Sequence, residues 1–237
     1  MRDKEPLAVS SESRASIAVP DKLRRLAPLL GMLMFPVMGM FYALVNGARG
    51  TVHTLVTPLD TWIPFVKFFA LPYSVWIFYI YLCLLYFLKK DRKVYYECLV
   101  TYAVCAMTCY GVYLVFQTTV PRPVLTGDDP FTNLVRYLYR RDQPFNAFPS
   151  IHCFSSYMVI RALAKSGFKN KLNRVLIYGM STTIILSTFF VKQHVVLDAL
   201  SAFLLVEIVH RLVVSRSNAG WPLARKLVSQ MRSWSAQ

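Results

Sequence analysis

Acidic residues are scarce in this chain: 12 Asp and Glu stand against 27 Lys and Arg in 237 residues, and all charged residues together make up only 16%. A water-soluble domain of this length carries about a quarter charged residues, and the mean hydropathy of +0.41 departs in the same direction. A single soluble core therefore fits poorly, and a membrane protein is expected. No Cys-x-x-Cys pair occurs among the five cysteines, and Cys83, Cys98, Cys105 and Cys109 lie in or beside apolar stretches. No disulfide framework is inferred, and the thiols read as packing residues. Internal repeats, low-complexity segments and a second domain are also missing. What is present in quantity is apolar surface, 55% hydrophobic and 14% aromatic, which excludes intrinsic disorder.

A helix needs roughly 20 apolar residues to cross about 30 Å of hydrocarbon. Six segments are read as spans, making the fold class all-α, a six-helix membrane bundle: Leu26 to Asn46, Tyr73 to Leu88, Val94 to Gln117, Ile151 to Ala164, Val175 to Val191 and Val195 to Val214. The second and fourth are short and are expected to gain a turn. Thr61 to Phe69, aromatic and broken by Pro64, reads as an interfacial helix leading into the second span. The membrane domain covers 26–215, between a flexible tail over 1–25 and a basic tail over 216–237 whose Trp221 to Gln237 reads as an amphipathic helix on the anionic leaflet.

The basic residues then sort by side. Nineteen of the 27 fall on the side of both termini and seven on the other: Arg49, Lys67, Arg122, Arg136, Arg140, Arg141 and Lys192, with Arg161 inside a span. The positive-inside rule puts both termini in the cytoplasm, so the basic excess marks topology and no nucleic-acid partner is expected. The first apolar stretch is too long for a signal peptide, and none is expected.

Residues able to carry chemistry gather on the outer face of this plan. His152 stands at the start of the fourth span in Asn146-Ala147-Phe148-Pro149-Ser150-Ile151-His152, and His194 at the start of the sixth, four residues before Asp198. On a helix that spacing shares a face and aims the carboxylate at the imidazole, fixing its tautomer. Ionisable groups are rare and costly within spans, which favours a function over incidental pairing. His53 and His210 read as interfacial side chains. The helix beginning at Pro149-Ser150 offers Ser150 as cap and the backbone at Ile151 as an anion site. Arg122, after the third span, adds a guanidinium fork. A nucleophilic imidazole, a second imidazole as proton donor, and cations around an anion describe phosphoryl transfer through a phosphohistidine.

These blocks resemble the type-2 phosphatidic acid phosphatase superfamily of membrane lipid phosphatases and phosphotransferases, whose pattern is Lys-x6-Arg-Pro, then Pro-Ser-Gly-His, then Ser-Arg-x5-His-x3-Asp. Arg122-Pro123 matches the end of the first block. Pro149-Ser150-Ile151-His152 matches the second with Ile151 for Gly, and Ser187, His194 and Asp198 match the third. Val115 and Thr188 replace two family cations, and Lys192 is the best substitute. Asn-Ala-Phe-Pro-Ser-Ile-His is also similar to the inositol phosphorylceramide synthase branch, which moves head groups between lipids. The resemblance implies His194 as nucleophile, Asp198 as its partner, His152 as acid and base, and Arg122, Ser150, Ile151, Ser187 and Lys192 as phosphate contacts, with no metal or cofactor.

The expected activity is hydrolysis of a lipid phosphate monoester or pyrophosphate, a membrane phospholipid or polyprenyl phosphate, with head-group transfer as the alternative. A small transporter and a protein holding haem between His152 and His194 are the readings outside this class. A compact multi-pass chain of this kind suits a bacterial plasma membrane, its site on the extracytoplasmic side.

Overall fold

A computed structural model describes residues 21–219 apart from Arg49. Most of the tail expected over 1–25 and the amphipathic helix expected at Trp221 to Gln237 lie outside the described residues. The chain is mostly helical, and polar side chains cap the starts of several helices.

The first apolar segment is split. α1 (Asp21–Leu30) passes through a 3-10 turn at Gly31–Leu33 into α2 (Met34–Val45). Pro28 and Pro36 each remove an N–H donor, and the tighter turn falls between them. α1 begins at Asp21, inside the segment read as a tail. After α2, β1 (Val52–Thr54) pairs in parallel with β2 (Gln117–Thr119), a ribbon tying the end of the first apolar segment to the end of the third.

The interfacial helix expected over Thr61 to Phe69 does not form as one piece. α3 (Pro58–Trp62) stops at Ile63, which is extended as the residue before Pro64. A 3-10 turn at Lys67–Phe69 then leads into α4 (Ala70–Ser74) and α5 (Trp76–Lys90). The second span thereby gains the length it lacked, running 24 residues from Lys67 to Lys90.

α6 (Arg92–Val115) is capped by Asp91, whose carboxylate accepts from the backbone N–H of Lys93 at 2.8 Å and of Val94 at 3.4 Å. α7 (Pro130–Arg141) lies between the third and fourth segments, capped by Asp129. α8 (Ile151–Lys165), α9 (Lys171–Phe190) and α10 (Val196–Asn218) complete the chain.

Among the described residues, three segments are long and apolar enough to cross a membrane: Leu26–Val45, Lys67–Lys90 and Arg92–Val115. α8 has 15 residues and adds no turn, which gives it about 22 Å. α9 has 20 and α10 has 23, the latter carrying Asp198, Glu207 and Arg211. α8 is the hub, packed against α5, α6, α9 and α10. All five cysteines are free and buried, all of them on α5, α6 or α8 within the main core, as expected of packing thiols.

Asp91→Ala leaves two N–H groups of α6 without their acceptor. The unfolding free energy is expected to fall by about 1 kcal/mol, and a thermal melt in detergent to shift down by about 2–4 °C.

Candidate active site

Lys192 and His194 lie together in the loop between α9 and α10. Gln193 and His194 both donate their backbone N–H to Thr188 O, at 2.9 and 3.1 Å, which closes the end of α9. Lys192 takes the turn with φ 53°, a left-handed conformation that is strained for a residue with a Cβ. Its ammonium secures that geometry by donating to Asp60 O at 3.2 Å and Ile63 O at 2.5 Å.

Asp198 does reach His194, though by a route other than the one expected. α10 starts at Val196, so His194 precedes the helix and the two do not share a helical face. Asp198 instead folds back over the first turn: Oδ2 accepts from the Val195 N–H at 2.9 Å and lies 3.3 Å from His194 Nδ1. Ala147 O is a second acceptor, 3.0 Å from the same nitrogen. Two acceptors at Nδ1 place the proton there and leave Nε2 with a lone pair. That lone pair faces His152 Nδ1 at 3.4 Å. The result is a line of groups, Asp198 to His194 to His152, in which His194 is 7% exposed and Asp198 fully buried.

The lead-in to α8 is locked to α10. Ser150 N–H donates to Asp198 O at 3.2 Å, and the Ser150 hydroxyl caps α8 by accepting from Cys153 N at 3.2 Å. Tyr113 of α6 donates to Pro149 O at 2.5 Å. The peptide bond before Pro149 is cis.

Arg122 is held by oxygen atoms. It donates to Tyr139 O at 3.0 Å, to Asp142 O at 2.7 Å and to Gln193 Oε1, and its guanidinium lies over the Tyr139 ring at 4.3 Å. The first acceptor is a carbonyl of the last turn of α7 and the second belongs to the residue just after the helix, a favourable place for a cation. Its Nε–H is buried and unpartnered among the described residues, as are Gln193 Nε2 and Asp198 Oδ1. Burial pulls the Arg122 guanidinium below its ordinary range, with the Asp142 carboxylate opposing, and pushes the Tyr139 phenol up to about 12.

Arg122, Lys192 and His194 line one cavity of about 330 Å³, walled by Asp60 and by apolar side chains including Ile63, Phe65, Val120 and Phe189. His152 is not among its lining residues and stands behind His194. Ser150, Ile151 and Ser187 do not line it either. The Ser187 hydroxyl donates to Ile184 O at 2.6 Å within its own helix. Val115 is 85% exposed on the outside of α6, and Thr188 is buried with its hydroxyl on Ile185 O. Lys192 is therefore the cation that joins Arg122 here. His53 stacks on Phe116, whereas His210, read as interfacial, is buried beside Thr101.

Gln193 and Asp60 were not legible as site residues. Asp60 Oδ1 accepts from Val196 N at 2.8 Å and so caps α10 from a distant segment. The one sequence signal for Asp60 is an acidic residue in an apolar stretch, and Gln193 has none beside Lys192 and His194. The two imidazoles meet nitrogen to nitrogen, which leaves no gap for a haem plane between them. No cluster of three or more His, Cys, Asp or Glu suited to a metal occurs among the described residues. Comparison with family models, curated proteins and solved structures finds no match to this chain.

Histidine 15N spectra are expected to show His194 protonated at Nδ1 and bare at Nε2; the reverse tautomer contradicts the arrangement. Asp198→Ala strips Val195 N–H and Nδ1–H of a shared acceptor, and is expected to lower stability by about 1–3 kcal/mol and to mix the tautomers.

Proposed function

We propose that this chain is a multi-pass membrane lipid phosphatase of the type-2 phosphatidic acid phosphatase kind, working through a phosphohistidine at His194. The observation that carries the reading is the line from Asp198 through His194 to His152, set beside a cavity that His194 shares with Arg122 and Lys192. Six spans, cytoplasmic termini and an extracytoplasmic site belong to the same proposal. Supporting them, α10 exposes Leu197, Leu200, Leu204, Ile208 and Leu212, an apolar side suited to lipid on which Arg211 is ion-paired to Glu207 at 3.0 Å.

The chemistry follows from the tautomer. A lipid phosphate enters the cavity with its oxygens toward Lys192 and the Nε–H of Arg122, its alkyl part along the apolar wall. His194 Nε2 attacks phosphorus while Asp198 stabilises the positive charge developing on the ring. The phosphorus–oxygen bond breaks, and the leaving oxygen takes the Nδ1 proton of His152, which acts in its imidazolium form. Water then gives a proton back to His152 and attacks phosphorus, the phosphorus–nitrogen bond breaks, and phosphate departs. The apolar wall and the likeness to the inositol phosphorylceramide synthase branch favour one second reading, in which a lipid alcohol replaces water in that last step.

Purified protein given phospholipids labelled in the phosphate distinguishes the two: free phosphate marks the hydrolase, and label on a second lipid marks the transferase. His194→Ala is expected to abolish either product; full turnover in that variant overturns the proposal. Lys192→Gln removes one of the two cavity cations and is expected to lower kcat/KM by about 10- to 100-fold, mostly through KM.

A further inference from the structure

His194 rests on a carboxylate, but no carboxylate hydrogen-bonds or ion-pairs with His152 among the described residues. Its imidazole is enclosed by aromatic faces instead. Tyr73 of α4 stacks on it with ring centroids 4.3 Å apart and planes 28° apart, and Trp76 of α5 lies 4.1 Å away at 49°. Both rings are tethered by their polar atoms. The Tyr73 hydroxyl donates to Asp142 Oδ2 at 3.0 Å, a carboxylate that also accepts from Tyr42. Trp76 Nε1 donates to Ser155 Oγ at 2.7 Å, one turn beyond His152 on α8. With the edges pinned, the faces are what each ring offers to the imidazole.

Aromatic faces carry negative potential and attract a cation. In the proposed cycle His152 is cationic whenever it holds the proton to be given. We infer that Tyr73 and Trp76 are positioning residues for His152, keeping its Nδ1 against His194 Nε2 and meeting its positive charge with their π faces. The inference rests on the lipid-phosphatase reading and adds to it residues from two helices outside the three sequence blocks. Asp142 acts through the same clamp: its carboxylate anchors Tyr73 and its backbone oxygen holds Arg122, so one residue sets the proton donor and a phosphate cation together.

When His194 Nε2 bonds to phosphorus, the Nδ1–H of His152 loses its acceptor and is free for the leaving oxygen. Only an alkoxide needs that proton; a nitrophenolate leaves without it. The test therefore compares a diacylglycerol phosphate with p-nitrophenyl phosphate on the intact protein in detergent. Trp76→Leu and Tyr73→Leu are expected to lower the first-turnover rate of phosphoenzyme formation from the alkyl ester by about 10- to 100-fold, with the nitrophenolate burst rate changed less than about threefold. Trp76→Phe and Tyr73→Phe are expected to restore most of the alkyl rate. Trp76→Met, an apolar filler without a π face, gives the same ratio where leucine packs poorly. Equal loss on both esters, or no loss on either, overturns the clamp. Its failure is separable from that of the underlying reading. His194→Ala inactive, with His152→Ala selective for the aryl ester and the leucine variants unselective, removes the clamp alone. An active His194→Ala removes both.

Discussion

A fully buried carboxylate has to find donors, and Asp198 finds them in a way that arranges everything around it. Unpaired, a charge in an apolar bundle is costly. Oδ2 therefore takes both the Val195 N–H and His194 Nδ1, and the same residue's carbonyl takes the Ser150 N–H. Three requirements are met at once: the start of α10 is capped, the tautomer of His194 is set, and the lead-in to α8 is held where His152 meets His194. Breaking this carboxylate's contacts would release the first two, while the third rests on the residue's backbone carbonyl.

The shell around the imidazoles extends the same economy. Asp60 caps α10 from α3, and Lys192 reaches back to the carbonyls of that segment, so a strained turn is held from both sides. Arg122 closes the end of α7 and is left with one buried N–H unused. Cations and dipoles fixed in an apolar surround need no reorganisation when charge moves, which is what phosphoryl transfer without a metal requires.

Much of this was legible in the chain, and the misses have physical causes. The apolar segments announced helices, and Pro64 showed where the aromatic lead-in to the second span breaks, whereas the Pro28 turn and the Asp91 cap were not singled out. The His194 and Asp198 spacing was readable, yet helical periodicity was the wrong reason: the carboxylate reaches back as a residue of the first turn, a geometry that a helix boundary one residue away decides. Ser150 was correctly placed as a cap, a role in which its hydroxyl accepts from the Cys153 N–H. Tyr73 and Trp76 could not be singled out, because a chain with 14 Tyr, 16 Phe and 4 Trp gives no local signal for the two rings that contact a histidine. Gln193 gives no signal of its own between the charged Lys192 and the imidazole of His194.

The central claim is a covalent one: phosphate passes through Nε2 of His194. Rapid quench of the protein with a labelled lipid phosphate, followed by peptide mapping under alkaline conditions that preserve phosphohistidine, tests it directly. The account predicts one phosphoryl group on the peptide containing His194, formed before product is released and absent from His194→Ala. Turnover without any labelled peptide, or label on His152 or another residue, would contradict it.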